Sequence, residues 1–125
     1  MAKLPKVVSE AWDNLEGAVV LTTISSDGVA NSIYATCVSK YDDETIVIAD
    51  NYFDKTQKNI LAGSKGVVLF ITGEGSAYQI KGSIEYCTSG PIYDEMKVWN
   101  DSKHPGHAAV AVKVEAVYKG AEQLV

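Results

Sequence analysis

The segment Asp54-Lys55-Thr56-Gln57 is the part of this sequence best equipped to meet an anionic ligand. Asp54 with Gln57 three residues on has the spacing of a capping box, which predicts a helix start there. Free backbone N–H groups and a favourable dipole gather at a helix start. Lys55 adds a charge, Thr56 a hydroxyl, and Asn59 follows one turn beyond Lys55. Such a set can hold a phosphate monoester; the same side chains also suit a solvated helix end, and their types alone do not decide. A second polar pair, Asn31 and Ser32, interrupts an otherwise apolar strand.

Other chemistries find little support. There is no Gly-x-Ser-x-Gly elbow, no Gly-x-Gly-x-x-Gly and no Walker run. Both histidines, His104 and His107, fall in one His-Pro-Gly-His stretch that reads as a solvated loop. Cys37 and Cys87 lie fifty residues apart with no metal-binding spacing, and read as reduced thiols buried in strands. Asp42-Asp43 and Asp94-Glu95 sit where turns or exposed helix are expected, so solvation accounts for them.

The elements that must carry these residues follow from periodicity. Residues 5–16 read as a short amphipathic helix with Pro5 in its first turn, ended by Gly17. Strands are expected at 18–25, 29–40 and 45–49, the first two joined through Asp27-Gly28. The helix opened by Asp54 runs to Leu61 or Ala62 and closes at Gly63. A buried strand at 66–72 and an alternating one at 77–88 follow, with Tyr78, Ile80, Gly82, Ile84 and Tyr86 on one face. A third helix opens at Pro91, and a last strand at 108–118 presents Val110, Val112, Val114 and Tyr118 together. Six strands joined mostly by short turns predict an antiparallel sheet curled into a small barrel, with one parallel crossover through the middle helix.

Composition bounds the rest. The 125 residues are 46% apolar and 22% charged, as expected of one folded domain spanning 1–125 without disulfide or metal. Sixteen acidic residues oppose eleven lysines, for a net charge of −5, and there is no arginine. That balance argues against nucleic acid and against anionic membrane surfaces. Pro5, Lys6 and Glu10 interrupt the N-terminus before any signal-peptide core, and no run approaches membrane-spanning length, so a cytoplasmic protein is expected.

Three stretches in order, Ala30-Asn31-Ser32-Ile33, Asp54-Lys55-Thr56-Gln57-Lys58-Asn59-Ile60 and Ile80-Lys81-Gly82-Ser83, resemble the small FMN-binding proteins of the pyridoxamine 5′-phosphate oxidase-like split-barrel superfamily. The resemblance covers nearly the whole chain. It implies a mainly β fold, a six-stranded antiparallel split barrel with short flanking helices, working as a homodimer with FMN at the dimer interface. Carried over by position, Asn31, Ser32 and Ile33 line the flavin. The strand end through Ala49, Asp50 and Asn51 supplies backbone groups to the ring's polar edge. Lys55 and Thr56 hold the phosphate, and Asn59 reaches the phosphate or ribityl chain. Without arginine no bidentate phosphate fork exists, so pyridoxamine 5′-phosphate oxidase activity itself is not expected. The function implied is a redox flavoprotein in electron transfer or flavin reductase-like chemistry; the alternative is a non-catalytic module for deazaflavin or haem. Gly120 is expected to swing the apolar tail away from the barrel, so that Leu124 or Val125 covers the partner's flavin.

Overall fold

A computed structural model describes residues 2–125. The elements are α1 (Lys6–Trp12), β1 (Val19–Ile24), β2 (Ala30–Ala35), β3 (Val38–Asp42), β4 (Thr45–Asp50), α2 (Lys55–Leu61), β5 (Gly66–Ile71), β6 (Ala77–Cys87), α3 (Pro91–Trp99), β7 (Ala108–Lys119) and β8 (Glu122–Gln123). The strands form one sheet in the order β2-β1-β5-β6-β7-β4-β3, with β8 pairing β7. Its two ends, β2 and β3, are consecutive in the chain and joined only through Thr36-Cys37. The result is a mainly β, antiparallel, split half-barrel with three short helices.

The predicted strand at 29–40 therefore divides. β2 pairs β1 while β3 pairs β4, so the chain leaves one edge of the sheet and joins the other. Seven strands plus the short β8 replace the six expected. The parallel crossover is also corrected. All strand pairs are antiparallel, and β6 and β7 separate β4 from β5. Instead α2 packs on β1, β2 and β6 and drives Ile60 into the core.

β4 is buried along its whole length because both its faces are covered. Ile46 and Ile48 join Val110 and Val112 inside the barrel, while Val47 and Ala49 meet Met96 of α3 on the other side. α1 adds Val8 and Trp12 to the barrel core, where Trp12 packs edge-on against Phe70 at 5.1 Å. This helix is shorter than expected. Pro5 is its cap, and by Leu15 the chain has left the helix to bridge Thr72.

A bulge at Glu115 corrects the last strand. Lys81 pairs Ala116 while Gly82 pairs Val114, so the inward phase shifts by one residue. Val117 is fully buried in place of Tyr118. The tail is corrected too. Gly120 (φ +57) turns the chain back on itself rather than away, and β8 lies along β7. Leu124 donates to Val117 O at 2.7 Å and packs on this chain's own core. Leu124 is thus partly buried against its own chain, while Val125 stays 39% exposed.

Candidate functional site

The site begins where β4 ends. Asp50 is fully buried, and its carboxylate accepts the Phe53 N–H at 3.0 Å, the Tyr86 hydroxyl at 2.5 Å and Gln57 Nε2 at 3.5 Å. A buried carboxylate with three donors is satisfied, and it fixes the turn from β4 into α2. Burial and the Asp50 carboxylate push the Tyr86 phenol above its ordinary value, so it remains a donor. Gln57 also donates to Tyr86 at 2.9 Å, and Asn59 Nδ2 donates to Thr23 Oγ1 at 3.0 Å. α2 is thereby tied to β6 and β1 through buried polar contacts.

The expected capping box does not form. Asp54 makes no side-chain cap, because it reaches Lys58 Nζ at 3.6 Å on the exposed face while Gln57 turns to Tyr86 and Asp50. Asp54 is thus occupied one turn along the helix rather than at its free N–H groups. Lys55 is exposed, and among the described residues no carboxylate lies within 4.0 Å of its ammonium. Thr56 is 1% exposed, and its Oγ1 accepts Asn31 Nδ2 at 3.1 Å. The hydroxyl proton of Thr56 has no acceptor among the described residues. α2 has only seven residues, so its dipole is small and an anion here depends on the Lys55 charge and the Thr56 hydroxyl.

These two residues line an open cleft of about 330 Å³, Thr56 at the point where Asn31 of β2 bonds it. Ile33 and Ala35 of β2, the Thr36-Cys37 bend, Ala49 and Phe53 give it apolar walls, and Tyr52 and His104 also line it. Of the residues expected to bind a ligand, Asn31, Ile33, Ala49, Asn51, Lys55 and Thr56 line this cleft. Four others do not. Ser32 faces the opposite side of β2, where its hydroxyl and that of Thr22 bond at 2.8 Å. Asp50 lies beneath the floor, and its carbonyl accepts His107 N at 2.8 Å. Asn59 gives its amide to β1 rather than to the cleft. Val125 sits beside Val117 at the end of β7. The Asn51 amide is also spent: its Oδ1 accepts Asn100 Nδ2 at 2.8 Å and Gly106 N at 3.0 Å, and its Nδ2 donates to Asn100.

Tyr52, Phe53, Cys37 and His104 are cleft residues that spacing did not reveal. The aromatic pair Tyr52-Phe53 directly ahead of Asp54 is a usable signal. His104 has none, since only folding brings residue 104 against residue 52. Cys37 lies at the half-buried bend rather than in a strand. Cys87 is half-buried at the end of β6, and burial together with Glu85 pushes its thiol up.

Comparison with known proteins bears on this arrangement. An uncharacterized protein of Methanocaldococcus jannaschii is 30% identical over 119 residues, covering 90% of this chain and 80% of that protein. The crystal structure of Group A Streptococcus HupZ superposes with a TM-score of 0.80 at 22% identity, covering 93% of each chain. That of an FMN-binding protein from Syntrophomonas wolfei gives 0.74 at 20% identity, covering 88% of this chain and 80% of the other. At those identities the two structures speak for the fold. The sequence profile of pyridoxamine 5′-phosphate oxidase matches residues 9–120, nearly the whole barrel with the cleft in it. The chain belongs to the pyridoxamine 5′-phosphate oxidase family.

Proposed function

We propose that the cleft binds FMN, with the phosphate at Lys55 and Thr56 and the ring against Ile33 and Ala49, and that the protein is a redox flavoprotein in electron transfer or flavin reductase-like chemistry. The observation that carries this reading is the 3.1 Å bond from Asn31 to Thr56. It locks β2 to the first turn of α2 and uses a lone pair of Oγ1, leaving the hydroxyl proton to donate into a cleft that Lys55 also lines, its ammonium without a carboxylate partner among the described residues. An anion subsite in an apolar cleft fits a ligand with a flat ring and a phosphate tail. When bound, FMN supplies reversible electron transfer. The protein's part is to bind and orient it: Lys55 and Thr56 anchor the tail, and the apolar walls keep water from the ring. Wild-type protein is expected to bind FMN about 10- to 150-fold more tightly than riboflavin, which lacks the phosphate, in equilibrium dialysis. Equal affinities would remove the phosphate subsite.

The same reading includes a homodimer that covers the open side of the cleft. Tyr34, at the cleft edge, is 81% exposed and stands in one row with Val20 and Leu69 on the outer face of β2, β1 and β5. Leu69 and Ile71 are 42% and 45% exposed there, which makes an apolar face continuous with the cleft. Val125 is the tail residue left to contact the partner's ligand. Sedimentation is expected to show a dimer at micromolar concentration. A stable monomer that still holds FMN would contradict the shared site.

The thiols have no part in this scheme. A Cys37→Ala, Cys87→Ala variant is expected to keep its bound FMN and its redox turnover, with at most a small loss of affinity because Cys37 lines the cleft. Cys87, holding its proton, is expected to alkylate more slowly at pH 8 than a thiol in an unfolded peptide, as followed by mass spectrometry. Loss of redox turnover with FMN still bound would instead assign the thiols a role.

A further inference from the structure

The loop between α3 and β7 is far better anchored than a solvated connection needs to be. Asn51 and Asn100 exchange both amide hydrogen bonds while buried, at 2.8 and 3.2 Å. Gly106 N donates to Asn51 Oδ1 at 3.0 Å, and Lys97 Nζ reaches Pro105 O at 3.0 Å and Gly106 O at 3.3 Å. His107 N holds Asp50 O at 2.8 Å. Gly106 (φ +54) lies so close to Lys97 Nζ and Asn100 Nδ2 that a Cβ there would come within 3.0–3.1 Å of them. Exposed loops are ordinarily loosely held. Here the anchors set the position of one side chain facing the cleft, the His104 imidazole.

That imidazole is itself oriented. Nδ1 and the Tyr52 hydroxyl are 3.1 Å apart, and the two rings meet edge to face at 5.6 Å. Nε2 has no hydrogen-bond partner among the described residues. Tyr52, 72% exposed, lines the same cleft. The Tyr52 hydroxyl can donate to Nδ1 or accept from it, so the bond orients the ring in either tautomer and leaves Nε2 as the nitrogen that can meet a ligand. His107, three residues further on, is exposed and does not line the cleft.

We infer that His104 is a ring-side binding residue of the cleft, contacting the polar edge of a flat heterocycle through Nε2, with Tyr52 and the Asn51–Asn100 pair as its positioning residues. The inference rests on the flavin reading and separates the cleft into two subsites. Lys55 and Thr56 select the phosphate, while His104 and Tyr52 act on the ring and do not distinguish FMN from riboflavin.

The test measures FMN and riboflavin binding to wild type, His104→Ala, Tyr52→Phe and His107→Ala, with the imidazole resonances followed by NMR and folding checked by thermal denaturation. His104→Ala is expected to lose about 2- to 13-fold affinity for both flavins alike, the worth of one hydrogen bond. Tyr52→Phe, which keeps the ring and frees Nδ1, is expected to lose less in the same sense. His107→Ala is expected to change nothing. Riboflavin is expected to move the His104 resonances and leave those of His107. Unchanged affinities in His104→Ala, or His104 resonances that ignore riboflavin, overturn the inference and leave the flavin reading standing. A loss confined to FMN makes His104 a phosphate contact and overturns it as well. Wild type that binds neither flavin overturns both.

Discussion

Replacing Lys55 by alanine is expected to weaken FMN binding by about 10- to 150-fold and to leave riboflavin binding and the thermal midpoint nearly unchanged. The figure is that of one charge-assisted hydrogen bond, about 1.5–3 kcal/mol, read as affinity. Lys55 is exposed and makes no ion pair among the described residues, so the loss is expected to fall on the ligand. Thr56→Val is expected to move FMN affinity in the same direction. It also deprives Asn31 of its 3.1 Å acceptor, so a modest drop in stability accompanies it. Arginine would have forked onto a phosphate; with none in the chain, the single ammonium and the hydroxyl carry the subsite. A parallel loss of riboflavin in Lys55→Ala would contradict this division.

Gly82→Ala is expected to damage the fold severely. A Cβ at residue 82 would lie 1.9 Å from the Lys113 carbonyl oxygen and 2.7 Å from its carbon. Both are backbone atoms of the strand paired to β6, so no side chain can turn aside. The closeness comes from the bulge at Glu115, which swings β7 toward Gly82 as the register slips between Lys81 and Gly82. Relief requires β6 and β7 to part where they carry the core residues Ile80 and Val114. The expected cost is about 3 kcal/mol or more, lowering the thermal midpoint by roughly 10 °C or failing to fold. An unchanged midpoint would show that the two strands do not approach as described. The glycine in Ile80-Lys81-Gly82-Ser83 is thus explained by a close passage of backbone rather than by a ligand.

Local pattern and tertiary arrangement account for what was legible in the sequence. The alternation of Tyr78, Ile80 and Gly82 revealed β6 because one face of that strand is buried and the other half exposed. Lys55 and Thr56 were legible because the helix start, the charge and the hydroxyl lie within three residues. The break at Thr36-Cys37 was not, since the chain changes sheet edge there without a glycine or proline to mark it. The bulge at Glu115 was not, because an extra residue leaves the run of valines intact and only shifts which of them points inward. Asp50 and Asn51 are expected from the sequence only as backbone groups toward the ring and Asn59 as an amide toward the phosphate or ribityl chain; the side chains of all three serve the frame around the cleft, a role no local pattern marks. His104 is the reverse case, a residue that local sequence assigns to solvent and that the Asn51–Asn100 pair brings to the cleft.

The central claim, that this cleft is an FMN site, is tested most directly by identifying what the protein carries when purified without added cofactor. The absorbance spectrum is taken on the intact protein, and the ligand released by denaturation is weighed by mass spectrometry and counted per chain. FMN at close to one per chain in a dimer is the predicted result. A deazaflavin, a haem spectrum, or a colourless protein that takes up no FMN on titration would contradict it.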